Sequence, residues 1–568
     1  MDKKIKIAFV GIAVAILILA VGIGIVIIKK MTPSDEVMLL TEYYQVEDTE
    51  VMIILHDEIY HKSGIMEDGT LYIDYDTVIH EFNHRFYWDQ NENILTYTTP
   101  TEIIQAEAVG NKYSITKSMI KTDAVSEYPI LKLYGDKVYI ALDFVQKYSD
   151  FRYRLYVEPN RVVIEYKWGE YLYTEVTKAT QLRSDADIKS PVLMQLPLGD
   201  ELMYVTKEEA PRKGFTKVMT KDGVIGYVRE KNVKASYYKE IHSTFSPPLY
   251  TAQTRPDKIN LVFHQIFSNE AGGKLEELIK QTKGVNVVSP TWFSIDDVSG
   301  TMSSLASQEY VDKAKELGLE VWALVDDFNT EINMYDLLSY TSRREKLSNN
   351  LVEAAIQYKT NGINIDFEKI PSKAGEHYIQ FLRELSVKCR NNGIVLSVDN
   401  YVPAPYNKYY DRKEQAEIVD YIIVMAYDEY YSGSDVAGPV ASIGFVKDAI
   451  RNTLEEVSKE KIIIAVPFYS RLWKETADNE VTSESLSMTP ASQVFTNNGL
   501  EPEWNETYGT YYGEFEKDDA SYKIWLEDAR SIEEKMKVIY DADVAGIAAW
   551  KLGLEKEEIW NVIIRYLN

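Results

Sequence analysis

Hydrophobic and polar positions follow four successive patterns along this chain of 568 residues. After Lys3, Lys4 and Lys6 comes an uncharged run, Ile7 to Ile28, closed by Lys29 and Lys30. At about 1.5 Å per residue, such a run spans the roughly 30 Å apolar layer of a bilayer as one helix. "IVIIKKM" follows where a cleaved leader would carry small residues, so residues 1–35 are predicted to be a short cytoplasmic stub and an uncleaved signal anchor. From 36 to 172 short apolar runs alternate with polar turns, as in "DEVMLL", "VMIILHDEIY", "ILTYTT" and "VVIEYKW", which predicts an α+β unit rich in strands. From 173 to 240 the runs stay short, with "LGD" and "KDG" turns between them, the pattern of a small β-barrel. Residues 241–257 contain "STFSPPLYTAQTRPD", whose Pro247, Pro248 and Pro256 predict a linker.

From 258 to 568 buried-type strands alternate with amphipathic helices. The strands are "INLVFHQI" from Ile259, "VNVVSPTWFSI" from Val285, "EVWALVDDF" from Glu320 and "GINIDFE" from Gly362. "IVLSVDNYV" from Ile394, "YIIVMAYD" from Tyr421, "KIIIAVPFY" from Lys461 and "AGIAAWKLGLE" from Ala545 follow. Helical spacing lies between them, as in "SQEYVDKAKELG", where Tyr310, Val311, Ala314 and Leu317 share one side and Gly318 is the stop. Eight strands in such alternation predict a (β/α)8 barrel. The last interval is unusually long and carries "EPEWNETYGTYYGEFEKDDASYKIWLED", read as a hairpin insertion before the last helix and strand.

In such barrels strand residues alternate between the interior and the helix layer, and chemistry sits at the C-terminal strand ends. In "NGINIDFEKI", period two turns Ile363, Ile365 and Phe367 to the helices and Asn364, Asp366 and Glu368 inward, with Glu368 outermost. Asn361 is out of phase with them, near the strand's start. An inward polar row is costly unless hydrogen-bonded or used. A salt-bridge network is the structural alternative to a catalytic role.

The fourth-strand pattern resembles the D-G-x-D-x-D-x-E signature of glycoside hydrolase family 18, the chitinase-like barrels. "VMAYDEYYSGSDVAGPVASIGFV", "VPFYSRLW" and "GIAAWKLGLE" resemble that family's sixth, seventh and eighth strands. The resemblance implies a substrate-assisted glycosidase, in which the sugar's 2-acetamido carbonyl attacks the anomeric carbon and the protein supplies one acid/base. Carried over, Glu368 is that acid/base. Asp366 holds the acetamido N–H and offsets developing charge, and Tyr427 bonds the acetamido oxygen. Asp428 lines the same subsite and Trp550 forms its floor. Asn364, Met425, Tyr469, Arg471 and Trp292 complete the expected substrate-binding set. Asn364 stands where the family carries an acid, so Asp366 is expected to lose a like-charged neighbour. Asn at this place also resembles the branch that cleaves bacterial peptidoglycan, including spore-cortex-lytic enzymes. No cofactor is implied.

Composition narrows the partners. A net charge of −26 excludes a phosphate-tracking nucleic-acid binder. A lone cysteine, Cys389, excludes an internal disulfide framework and is spaced as a core position with Tyr378, Leu382 and Leu385. "HEFNH", His80 to His84, matches a zinc-protease pattern, but its run offers barely two helical turns and no evident third ligand, so no metal site is expected. "KVYIALDFVQKYSDFRYRLYVEPNRVVIEY" resembles the end of the domain named after the copper amine oxidase N-terminal region, without implying copper. "LRSDADIKSPVLMQL", "LPLGDEL" and "DGVIGYV" resemble bacterial SH3-like domains, which leaves wall-peptide binding and spacing both open. The expected whole is a single-pass envelope enzyme, N-terminus cytoplasmic and barrel outside, acting on peptidoglycan or another N-acetylglucosamine-containing glycan. Chitin hydrolysis and non-catalytic wall binding are the alternatives.

Overall fold

The computed structural model describes residues 3–47, 49–205 and 214–567. Its C-terminal strands are β1 (Ile259–His264), β2 (Val287–Ile295), β3 (Glu320–Asp326) and β4 (Gly362–Asp366), then β5 (Val395–Tyr401), β6 (Tyr421–Met425), β7 (Ile462–Pro467) and β8 (Gly546–Trp550). Each is parallel to its neighbour, and β8 pairs with β1, so the sheet closes into an eight-stranded barrel. At that seam the strands approach closely: a Cβ on Gly546 would lie 2.2 Å from the Ile259 carbonyl oxygen, which only glycine tolerates.

Alternation sorts the side chains. Ile259, Leu261, Phe263, Val287, Trp322, Leu324, Tyr421, Ile423, Ile463, Ala465 and Ala548 fill the interior, with Trp322 stacked on Tyr421 at 5.3 Å. The opposite parity, including Ile363, Ile365 and Phe367, packs against helices such as Gln308–Glu316 and Gly375–Asn391. Asn361 sits at the strand's start, where its Oδ1 accepts the Val321 N–H. Cys389 is buried in the helix layer.

After β7 the chain forms a five-stranded antiparallel sheet, not a hairpin alone. Tyr469–Thr476 and Val481–Ser487 join Glu503–Asn505, Thr510–Lys517 and Ala520–Leu526. A second five-stranded sheet, Tyr87 to Val125, belongs to the barrel unit, although its sequence lies far upstream. Asp89 Oδ2 accepts both the N–H and the hydroxyl of Thr341, capping the helix Thr341–Tyr358 from outside its own sequence. The Tyr87 hydroxyl meets Arg344 Nη1 at 3.2 Å and His377 Nδ1 at 2.7 Å.

The other unit holds most of the remaining upstream chain. It contains a mixed seven-stranded sheet between Glu50 and Glu165 and an antiparallel seven-stranded sheet from Gly169 to Ile241. Met52, Ile54, Val163, Met203, Val205, Met219 and Ile225 form a shared core. "DEVMLL" is not a full strand: Val37 makes one bridge to Val192 and a helical turn begins at Leu40, because this segment only borders a sheet edge. "HEFNH" is not one helix: His80–Phe82 end a single wide turn, Val78–Phe82, and Asn83 is extended, with His80 bonded to the Asp76 carbonyl and Glu81 to the Tyr166 hydroxyl. Among the described residues no cluster of His, Cys, Asp and Glu is arranged to hold a metal. Lys3–Met31 is one helix, and its Ile5–Met31 portion is long and apolar enough to cross a membrane.

Candidate active site

The fourth strand ends where its hydrogen-bonding ladder ends. β4 closes at Asp366, and Phe367 turns outward onto Tyr378 and Phe381. That anchor leaves Glu368 at the mouth, partly buried. Its backbone is fixed from β3: Asp327 accepts the N–H of Glu368 at 2.9 Å and that of Lys369 at 2.8 Å through separate oxygens. The acid's carboxyl is fixed from β5, where the Tyr401 hydroxyl donates to Glu368 Oε2 at 2.6 Å.

Below it, Asn364 and Asp366 are buried on the inward face. Ser397 donates to Asn364 Oδ1 at 2.6 Å, which turns the amide so that Nδ2 donates to Asp399 Oδ2 at 2.7 Å. Asp399 changes the electrostatics predicted for this site. Asn364 does remove an acid from β4, but Asp366 is not left without a like-charged neighbour, because Asp399 supplies one from β5. Burial, then the charges of Asp399, Glu368, Asp327 and Asp326, push the Asp366 carboxyl well above the usual range. Burial also raises Glu368, against the opposing pull of the Tyr401 hydrogen bond. Asp327 is pushed up to about 6 by burial, despite the two amides it holds.

Tyr427 and Asp428 follow β6. Burial and the nearby carboxylates hold the Tyr427 phenol far above its ordinary value, so it is a neutral donor. Asp428 has a left-handed backbone, φ +53°, and its Oδ1 accepts from Tyr469 at 2.6 Å and Arg471 at 3.0 Å. Met425 shares the inward parity of Ile423, and Trp550 lies against Phe263 at 5.5 Å. Trp292 does not join them. It faces the helix layer, 3% exposed, with its ring 5.0 Å from Tyr310. The register against β3 shifts between Thr291 and Phe293, so Trp292 is the extra residue of a bulge, and it packs with Phe293 in the helix-side core rather than in the barrel interior. Asp327, Asp399 and Tyr401 were missed in the sequence. The last two share their inward parity with Ser397 in "SVDNYV", which was the available signal.

Comparison with known families agrees with this geometry: the profile "Glycosyl hydrolases family 18" matches residues 234–555, more than half the chain. The chain belongs to glycosyl hydrolase family 18. A relative, the cortical fragment-lytic enzyme of Bacillus subtilis strain 168, is 28% identical over 241 residues, 41% of this chain and 56% of that protein. This chain therefore spans about half the length of that curated relative. A B. subtilis protein named as uncharacterized glycosylase YvbX is 22% identical over 301 residues, 50% of this chain and 86% of its own. The crystal structure of the Bacillus cereus spore cortex-lytic enzyme SleL aligns with a TM-score of 0.50 at 20% identity, covering 58% of this chain and 79% of that one. At that identity the likeness concerns the fold alone.

Proposed function

We propose that this family 18 chain is a membrane-anchored glycosidase that cleaves β-1,4 bonds of 2-acetamido sugars in bacterial peptidoglycan, in the manner of an N-acetylglucosaminidase. The observation that carries the proposal is one oriented acid at the barrel mouth. Glu368 is locked at its backbone by Asp327 and at its carboxyl by Tyr401, with buried Asp366 two residues before it. An ordinary glycosidase needs a second carboxylate as nucleophile or base. Substrate assistance does not, because the acetamido carbonyl attacks the anomeric carbon.

Glu368 gives its proton to the leaving glycosidic oxygen, and its raised affinity for that proton keeps the acid form available. It then takes a proton from the water that opens the cyclic intermediate, so configuration is retained. Asp366 accepts the acetamido N–H and offsets the positive charge, while Tyr427 donates to the acetamido oxygen. Trp550 forms the floor of the subsite, and Met425, Asn364, Asp428, Tyr469 and Arg471 shape it. The cortical fragment-lytic name of the B. subtilis relative supports peptidoglycan over chitin. The helix Ile5–Met31, with lysines at both ends, supports an anchor, and a barrel that acts on wall must lie outside, which puts the N-terminus in the cytoplasm. The module at 173–240 is proposed to be SH3-like and to meet wall peptide.

The test incubates the chain from Thr32 onward, and its Glu368→Gln variant, with purified peptidoglycan and with chitin oligosaccharides. New reducing ends are identified by mass. Release from peptidoglycan by the wild type alone supports the proposal. Release from chitin alone changes the substrate, and binding without release by either protein favours a wall-binding scaffold.

A further inference from the structure

The barrel mouth carries carboxyl groups in one row across three strands. Asp326 on β3 pairs in register with Asp366 on β4. Ile365 pairs with Val398, so Asp366 and Asp399 are the next residues along β4 and β5. One step deeper, Asn364 pairs with Ser397, and the Ser397–Asn364–Asp399 chain uses up Asp399 Oδ2. Two oxygens then remain buried without a hydrogen-bond partner, Asp366 Oδ1 and Asp399 Oδ1. Neighbouring buried carboxyls do not both ionise readily, and a single proton between them would satisfy both orphaned atoms.

We infer that Asp399 is a positioning residue for Asp366: the two carboxyl groups share one proton, with Asp399 doing from β5 what the amide of Asn364 cannot do from β4. It rests on the role proposed for Asp366 above. As Asp366 turns toward the acetamido N–H, the O–H bond at Asp366 Oδ1 breaks and one forms at Asp399 Oδ1. The pair keeps a charge of −1 throughout, and Asp366 reaches the substrate as an anion without releasing a proton to water.

The surrounding groups suit this. Asp326 is held by Ser294, Asp327 by the loop amides, and Glu368 by Tyr401. Tyr427 stays neutral, and Asp428 is engaged by Tyr469 and Arg471. Each of these acids disfavours a second negative charge on the pair.

The experiment uses the purified full chain in detergent. Infrared spectra of isotopically labelled aspartate are followed through a pH titration for wild type, Asp366→Asn and Asp399→Asn. Turnover on peptidoglycan is measured alongside for wild type, Asp399→Asn and Asn364→Asp/Asp399→Asn. The wild-type pair is expected to titrate in two separated steps. Either single variant leaves one step, at least about one pH unit below the upper wild-type step. Asp399→Asn lowers kcat by about tenfold or more with KM within about twofold, and returning the acid to β4 in the double variant recovers kcat to within about threefold of wild type. An upper step unmoved in Asp399→Asn, or a double variant no better than Asp399→Asn, overturns the inference. If wild type releases no sugar, the glycosidase reading fails, and the infrared titration alone decides the pair.

Discussion

Removing one hydroxyl at the mouth tests the acid directly. In Tyr401→Phe the 2.6 Å hydrogen bond to Glu368 Oε2 is lost, while the ring keeps its place beside Tyr410. That bond favours the ionised carboxylate and acts against the burial that raises Glu368. A hydrogen bond to a charged group contributes about 1.5–3 kcal/mol. At about 1.4 kcal/mol per pH unit, its loss raises the Glu368 pKa by about 1–2 units. The sign follows from the role: the acid must be protonated, activity is lost as pH rises through its pKa, and a higher pKa moves that loss upward. The alkaline limb of kcat/KM is therefore expected to shift up by about 1–2 pH units. Freed of its tether, the carboxyl also samples unproductive orientations, so kcat at the optimum falls by about tenfold. The assay is a pH series of initial rates on a soluble 2-acetamido oligosaccharide that wild type cleaves. An alkaline limb that stays fixed or moves down refutes the assignment of Glu368 as the acid held by Tyr401.

Other perturbations reach the supports of the site. Asp327→Asn keeps an acceptor for one of the two amides at Glu368 and Lys369 and sets an N–H group against the other; kcat is expected to fall about tenfold with KM nearly constant, read by steady-state kinetics. Asp89→Ala strips the cap from the helix Thr341–Tyr358 and leaves the Thr341 N–H and hydroxyl without their acceptor. A local loss of about 2–4 kcal/mol is expected, measured as faster hydrogen exchange in the first turn of that helix, with Asp89→Asn milder.

The barrel was legible because its strands are nearly continuous apolar runs of regular spacing, and its acid row because period two survives to Glu368. Tyr401 and Asp399 obey the same period in "SVDNYV", but an aspartate and a tyrosine on a fifth strand carry no meaning until β4 is known to lie beside them. Trp292 misled because an aromatic near a strand end suggests sugar stacking, whereas a bulge that the sequence does not mark sets it against Tyr310. The placement of residues 87–125 was not legible at all. It depends on Asp89 finding the start of a helix some 250 positions later, a contact that no local pattern encodes.

That placement makes the barrel's folded body discontinuous in the chain. Among the described residues the backbone passes between the two units five times: after Phe86, Glu107, Asn111, Val125 and Pro247. Proteolysis within 241–257 would cut the barrel's covalent link to the upstream chain, yet the packing of the 87–125 sheet in the barrel unit would still hold the two pieces together. A shortened chain beginning at residue 258 would lose Tyr87 and Asp89 together, leaving Arg344 and Thr341 with buried donors and no acceptors from that sheet. A pull between the upstream chain and the barrel would likewise be shared between that link and the packing of the 87–125 sheet, as in a laced seam rather than a single cord.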